Sequence, residues 1–409
     1  MRVERYARWL LGLATVAFLV AGDVQAAPAA FWAAARLAFL GAALVAALPL
    51  ALRHRRSLAA LFRAPLLFFS LFALLDLVAA AAAAHPAAAL RYAVGYLVIE
   101  VLAVVIACAF REQLIVSGIL AALAIKVVAS VALAWTPEAW WMGERFRGLL
   151  GNPNPMAATA GLTYLVTMLS GWYDWPRAVP RALLVAVGLT ATSALAVSRS
   201  LSGLFATVVT MGTLAWFAGR GETIPGARRA WRAISSAMLV PVVVVLLFQP
   251  ARTTAPTRSI GFRARWWGAL EAPILRHPWI GYGPGGTRAL AVEAAPPWRS
   301  SAHNLYLEAT ISAGVPGGVM ALLFVVAASV AVFRRVRQSG GGHLGAAAVM
   351  LFYAMLSPIE PVLLNGAPSS LVAPLVVAAI CVVGADGLRH SAEPAPAGDA
   401  PSSGVATSR

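Results

Sequence analysis

Residues able to do acid–base or anion-binding chemistry are few in this chain, and they gather around one stretch, "RSSAHNLYLEATISAGVPGG", Arg299 to Gly318. There His303 follows two serines and precedes a helix-like run carrying Asn304, Tyr306 and Glu308. Ser300 or Ser301 suits a helix N-cap, which puts the imidazole in the first helical turn. The positive helix end disfavours imidazolium and leaves a neutral ring, the form a general base needs near pH 7. The same end offers free N–H groups to a phosphate. Glu308 lies off the face of His303, so the sequence shows no orienting carboxylate. The plainer alternative is a histidine that only caps a helix.

Arginines supply the complementary chemistry. Arg145 and Arg147 stand in "ERFRGLLGNPNP", Arg199 in "AVSRSLSG", Arg263 and Arg265 in "SIGFRARWWGALEAPILRHPWIGYGPGG", and Arg288 just beyond. A planar guanidinium grips phosphate oxygens two at a time. Arg199 could also be an accident of a short turn. Metal chemistry is not expected. The candidate carboxylates Glu138, Glu144, Glu271, Glu293 and Glu360 are scattered, and no Asp-x-Asp or His-x-x-x-His spacing occurs. No cofactor is expected either.

The elements that must position these groups are apolar. Of 409 residues, 60% are hydrophobic and 12% charged, against roughly half and a quarter in soluble domains, which excludes a soluble enzyme. Apolar runs of about 20 residues suit a roughly 30 Å hydrocarbon core. Twelve can be drawn: 7–22, 29–52, 64–84, 88–109, 112–134, 155–172, 179–197, 201–218, 232–249, 314–334, 342–356 and 368–386. One alternate set of connections, with the termini, holds 19 arginines; the other short connections hold only Arg91, Arg145, Arg147 and Arg199. The positive-inside rule makes the first set cytoplasmic, with both termini inside. His303 then faces outward. The longest connection, about 250–302, is a large outer loop with short helices, and it carries seven arginines. The start, "LLGLATVAFLVAGDVQAAPAA", reads as a first span in preference to a signal peptide cleaved near Ala26. Residues 1–386 form one membrane-embedded domain, and 387–409, rich in Pro, Ala and Ser, form a disordered cytoplasmic tail.

Other features have bland readings. The +16 net charge reflects topology-setting arginines; no basic, aromatic-interleaved soluble segment points to nucleic acid. Cys108 and Cys381 sit in apolar runs, without disulfide or metal spacing. Seven of 13 tryptophans lie in outer connections, most as interfacial anchors. Arg36, Asp76, Glu100 and Lys126 fall inside apolar segments, where charge is costly. An Asp76–Lys126 ion pair is the favoured reading over an ion pathway, and Arg36 could reach a membrane lipid headgroup.

Taken together, "RGLLGNPNPMA", "SRS", "RARWWGALEAPILRHPWIGYGPGG" and "AHNLYLEATISAGVPGG" resemble the O-antigen ligase and polymerase superfamily of bacterial envelope glycosyltransferases, over about Arg145 to Met320. The resemblance implies an all-α polytopic inner-membrane protein of about 12 transmembrane helices with a GT-C-like fold. It implies transfer of a glycan from undecaprenyl diphosphate to a sugar hydroxyl of lipid A–core on the periplasmic face. The family's essential histidine falls on His303, and its two arginines on Arg199 and on Arg265 of the Arg263/Arg265 pair. Arg147, Arg288, Arg145, Asn304 and Tyr306 are further candidates for substrate contact. Ligase is the first expectation. A polymerase or a protein O-oligosaccharyltransferase of the same superfamily is the alternative, and a lipid-linked glycan transporter is the more distant one. Oligomeric state is not legible.

Overall fold

The computed structural model describes residues 2–22, 24, 29–134, 141–142, 145–170, 180–218, 254–294, 301–338, 343–361, 364 and 368–391. Thirteen α-helices are present among them. Those before the long outer loop are α1 Arg2–Gly22, α2 Ala29–Arg53, α3 Leu66–Ala79, α4 Pro86–Ala109, α5 Glu112–Ala132, α6 Pro153–Ser170, α7 Arg181–Ser198 and α8 Leu201–Ala218. After it come α9 Thr254–Arg276, α10 Gly286–Ala294, α11 Leu305–Gln338, α12 Leu344–Leu356 and α13 Pro368–Ser391. The described strands are two residues each, β1 Trp141–Met142 and β2 Arg145–Phe146, paired antiparallel.

The protein is an all-α membrane protein. Four helical stretches, Ala30–Arg53, Pro86–Ala109, Glu112–Ala132 and Leu305–Gln338, are long and apolar enough to cross a bilayer, and five shorter apolar helices accompany them. Eleven of the twelve segments expected from the sequence form helices; the segment 232–249 lies outside the described residues. The outer loop departs from expectation, since α9 is a 23-residue helix and only α10 is short. At the C-terminus α13 continues to Ser391, past the expected boundary at 386, and the rest of the tail lies outside the described residues.

The helices pack around one continuous apolar core. In it α1 lies on α2, α6 on α7, α3 on α11, and α4 on α13. Two buried carboxylates receive hydroxyl donors across helix pairs, which lowers the cost of placing them in hydrocarbon. Ser70 on α3 donates to Glu100 on α4 at 2.9 Å. The Ser312 hydroxyl on α11 donates to Asp76 on α3. Asp76 therefore joins α3 to α11 through Ser312. Arg36 turns inward: its Nε donates to Trp32 O at 3.1 Å and its Nη1 to Gly22 O at 3.2 Å. An arginine near a helix end completes carbonyls that the helix cannot, so Arg36 ties α2 to the end of α1.

Between these helices lies a cavity of about 1000 Å³. Arg36, Tyr92, Lys126 and Arg288 line it, and it extends to Asn154 and Glu360.

Candidate active site

Four connections meet at the Glu360 end of the cavity. The first follows α5. Its β1–β2 hairpin is held by Phe146, which is buried and packs on Trp141 with ring centroids 5.3 Å apart. Leu149 N donates to Ser130 Oγ on α5 at 3.1 Å. Asn152 Oδ1 accepts the Asn154 N–H at 2.9 Å, and α6 begins at Pro153. Proline at the first helical position gives up no bond, so the two Asn-Pro pairs make a rigid start, and Asn154 faces the site.

The second connection joins α7 to α8 in a single tight turn. Arg199 caps α7 in the left-handed region, φ 48°, and is exposed, while Ser200 behind it is buried. Ser200 Oγ donates to Asn154 Oδ1 at 3.0 Å.

The third is the histidine elbow. His303 has φ 51°, an uncommon conformation outside glycine, and precedes α11 instead of standing in its first turn. The N-cap is Asn304, whose Oδ1 accepts the N–H groups of Tyr306 at 2.9 Å and Leu307 at 3.0 Å. The expected Ser300/Ser301 cap is thus displaced by three or four residues. Ser301 instead takes the His303 N–H on its Oγ at 3.1 Å. Glu308 accepts the Ala302 N–H at 2.7 Å. Helix α9 braces the elbow from outside. Trp266 Nε1 donates to Ser301 O at 3.1 Å and Trp267 Nε1 to Ala302 O at 2.7 Å. A small apolar cluster of Trp266, Leu270, Ala302 and Ile311 seals the contact. These two tryptophans scaffold the site.

The fourth connection follows α12. Leu305 N donates to Ser357 O at 2.8 Å and Asn304 Nδ2 to Pro358 O at 3.0 Å, so the segment Ser357–Pro361 is fastened to the elbow. It delivers Glu360, which is buried. Glu360 Oε2 lies 3.2 Å from His303 Nδ1. Its Oε1 accepts Arg263 Nη2 at 2.6 Å and Asn154 Nδ2 at 2.8 Å. Asn154 Oδ1 in turn accepts Arg145 Nη2 at 2.8 Å, and Arg145 Nε donates to Ser198 O at 3.2 Å. Burial lowers the Arg145 pKa from its ordinary value, Glu360 opposing and Arg263 adding to that fall.

Of the residues singled out in the sequence, His303, Arg263 and Arg145 are brought into this one network. Arg265, about 200° from Arg263 around α9, is exposed and donates its Nε to Gly261 O at 3.3 Å. Arg288 is exposed in α10 and lines the cavity; Arg147 is half-buried before the turn at Gly148. Asn304 is a cap, and half-buried Tyr306 packs on the core. The functional residues that sequence reasoning missed are Glu360 and Asn154. The signal for Glu360 was faint but present: a lone carboxylate between Pro358 and Pro361 in an outward connection.

Residues 184–322 match the family model for O-antigen ligase. That match, over about a third of the chain, supports a likeness to the O-antigen ligase and polymerase superfamily. The matched segment contains Arg199, Arg263, Arg265 and His303, while Asn154 and Glu360 lie to either side of it. Superfamily members are glycosyltransferase-like ligases and polymerases that use lipid-linked glycans. Comparison with curated proteins returned no match.

Proposed function

We propose that this protein is an O-antigen ligase, a twelve-span inner-membrane enzyme with a GT-C-like fold and a periplasmic site. It moves a glycan from undecaprenyl diphosphate to a sugar hydroxyl of lipid A–core. The observation that carries this reading is the His303–Glu360 contact at one end of a large cavity. A carboxylate accepts and does not donate when ionised, so Nδ1 bears the proton and Nε2 keeps a lone pair for an acceptor hydroxyl. The acceptor oxygen attacks the anomeric carbon while its proton passes to Nε2. The bond from that carbon to the diphosphate breaks, and the electron pair leaves with undecaprenyl diphosphate. Direct attack inverts the anomeric centre. Arg199 and Arg265 stabilise the charge growing on the departing diphosphate. Both oxygens of Glu360 already hold N–H donors, and the transfer is metal-independent.

The test is transfer by purified protein from a lipid-linked donor to lipid A–core. His303→Ala is expected to insert normally and lose roughly 10²–10⁴-fold in turnover, the worth of a general base. Wild-type turnover from that variant would remove the base assignment. Activity is expected to persist in excess chelator; loss restored by magnesium would overturn the metal-free reading. Electrophoresis of lipopolysaccharide from a strain lacking the protein separates ligase from polymerase. A missing ligase leaves uncapped core, and a missing polymerase leaves core bearing one repeat.

A further inference from the structure

We propose that Glu360 is a positioning residue for the transfer step, and that it divides labour between Arg263 and Arg265. The inference rests on the transfer reading above and adds what that reading lacks, a reason for the histidine to act as a base.

The geometry is that of one carboxylate with two tasks. Through Oε2 it fixes the His303 ring in the Nδ1–H tautomer. Without that partner a histidine ring is free to carry its proton on Nε2, where it cannot accept another. When Nε2 takes the acceptor's proton the ring becomes a cation, and the neighbouring carboxylate stabilises it without itself being protonated. Through Oε1 the same group receives Arg263 and Asn154. Both donors of Oε1 are thus side-chain N–H groups from other elements, α9 and the start of α6. The Arg263 and Glu360 side chains retain only 13% and 9% of their exposure, so the guanidinium is counter-charge to Glu360, not an open phosphate ligand. Arg265 stands on the exposed side of the same helix. Two arginines separated by one alanine thus serve different partners: Arg263 supports the base, and Arg265 is left to meet the diphosphate.

Asn154 extends the arrangement. Its amide bridges Glu360 to Arg145 and Ser200, so the start of α6 and the α7–α8 turn both fix where the carboxylate sits. The base is positioned by four connections at once.

The experiment measures kcat and both KM values for the purified full-length protein and its variants. Glu360→Gln keeps the shape and loses the charge; kcat is expected to fall on the order of 10²-fold or more with donor and acceptor KM unchanged. Glu360→Asp restores the charge and should recover part of the loss. Arg263→Gln should also act on kcat, and combining it with Glu360→Gln should cost no more than the worse single change, because the pair acts as a unit. Arg265→Gln should raise donor KM as well as lower kcat, because its guanidinium meets the diphosphate both before and during departure. Wild-type kcat from Glu360→Gln, or losses that multiply in the double variant, overturn the inference. A second reading needs no turnover. Ring ¹⁵N shifts of labelled histidine, assigned by the signal absent in His303→Ala, should show Nδ1–H in the wild type and lose that preference in Glu360→Ala. An unchanged tautomer overturns the inference. A wild-type protein that transfers nothing overturns the transfer reading alone and leaves the tautomer test standing.

Discussion

Both ends of the Asn304 side chain are in use: its carbonyl caps α11, and its amide holds Pro358, two residues before Glu360. Asn304→Ala should therefore lower stability by about 1 kcal/mol for the lost cap, read as a lower Tm of the purified protein. Asn304→Asp keeps the cap and loses the Pro358 bond. Its Tm should stay near wild type while kcat falls, because one of the two bonds that fasten the Glu360 segment to the elbow is lost. Equal kcat for Asn304→Asp and wild type would show that this bond does not set the site. At this scale the sequence revealed which groups were unusual and not whom they touch. His303 and Arg263 stood out as polar residues in apolar surroundings. Glu360 could not be paired with His303 from spacing, since 57 residues and two helices separate them. The histidine was also misplaced within its own segment. A serine cap would have put it inside the helix, but the elbow turns through φ 51° and leaves capping to the next residue.

Helix α11 is two helices joined at a break, and the break is what docks the outer loop. Ala313 and Gly314 leave helical geometry, which frees the carbonyls of Ile311 and Ser312. Tyr282 N and Gly283 N take them at 2.7 and 2.8 Å, and Val315 N returns a bond to Pro278 O at 2.7 Å. The turn after α9 is thereby stitched into the break. Gly314 has φ 72° and ψ −178°, a region open essentially to glycine. A Cβ there would stand 2.5 Å from Trp279 C, and one on Gly281 would stand 2.6 Å from Gly314 N. Gly314→Ala should cost about 1–3 kcal/mol of backbone strain before any overlap is relieved, and it should undock α9. Loss of Tm together with increased protease cutting between α9 and α10 would report this; an unchanged cleavage pattern would contradict it. The Gly-Val-Pro-Gly-Gly run after the histidine stands in the sequence, as do Trp266 and Leu270 four residues apart. Their mutual fit does not, because it is made of backbone bonds that no side-chain pattern encodes.

The packing of the chain sorts its connections into two ends, and the sorting coincides with the distribution of arginine. At one end Arg53 meets Glu4, and Glu112 lies 3.5 Å from Arg335 and 2.6 Å from His343, bringing together connections from the arginine-rich set. At the other end meet Arg145, Ser200, His303 and Glu360, from the arginine-poor set and the long loop. Alternation along the sequence was enough to assign the ends because each apolar helix reverses the chain. Which end faces which compartment is a matter of charge, and the positive-inside rule predicts the cytoplasm for the 19-arginine set. Single cysteines test this in a Cys108→Ala, Cys381→Ala background. Arg288→Cys lies on exposed α10 beside the site, and Arg337→Cys lies exposed at the far end of α11. In intact cells with a permeable outer membrane, a membrane-impermeant maleimide should label position 288 and spare position 337 until the inner membrane is opened. That outcome is required by the chemistry proposed, because a lipid-borne diphosphate donor is needed only where nucleotide sugars are absent. The reverse pattern would put His303 in the cytoplasm and remove the physical reason for a lipid-linked substrate at this site.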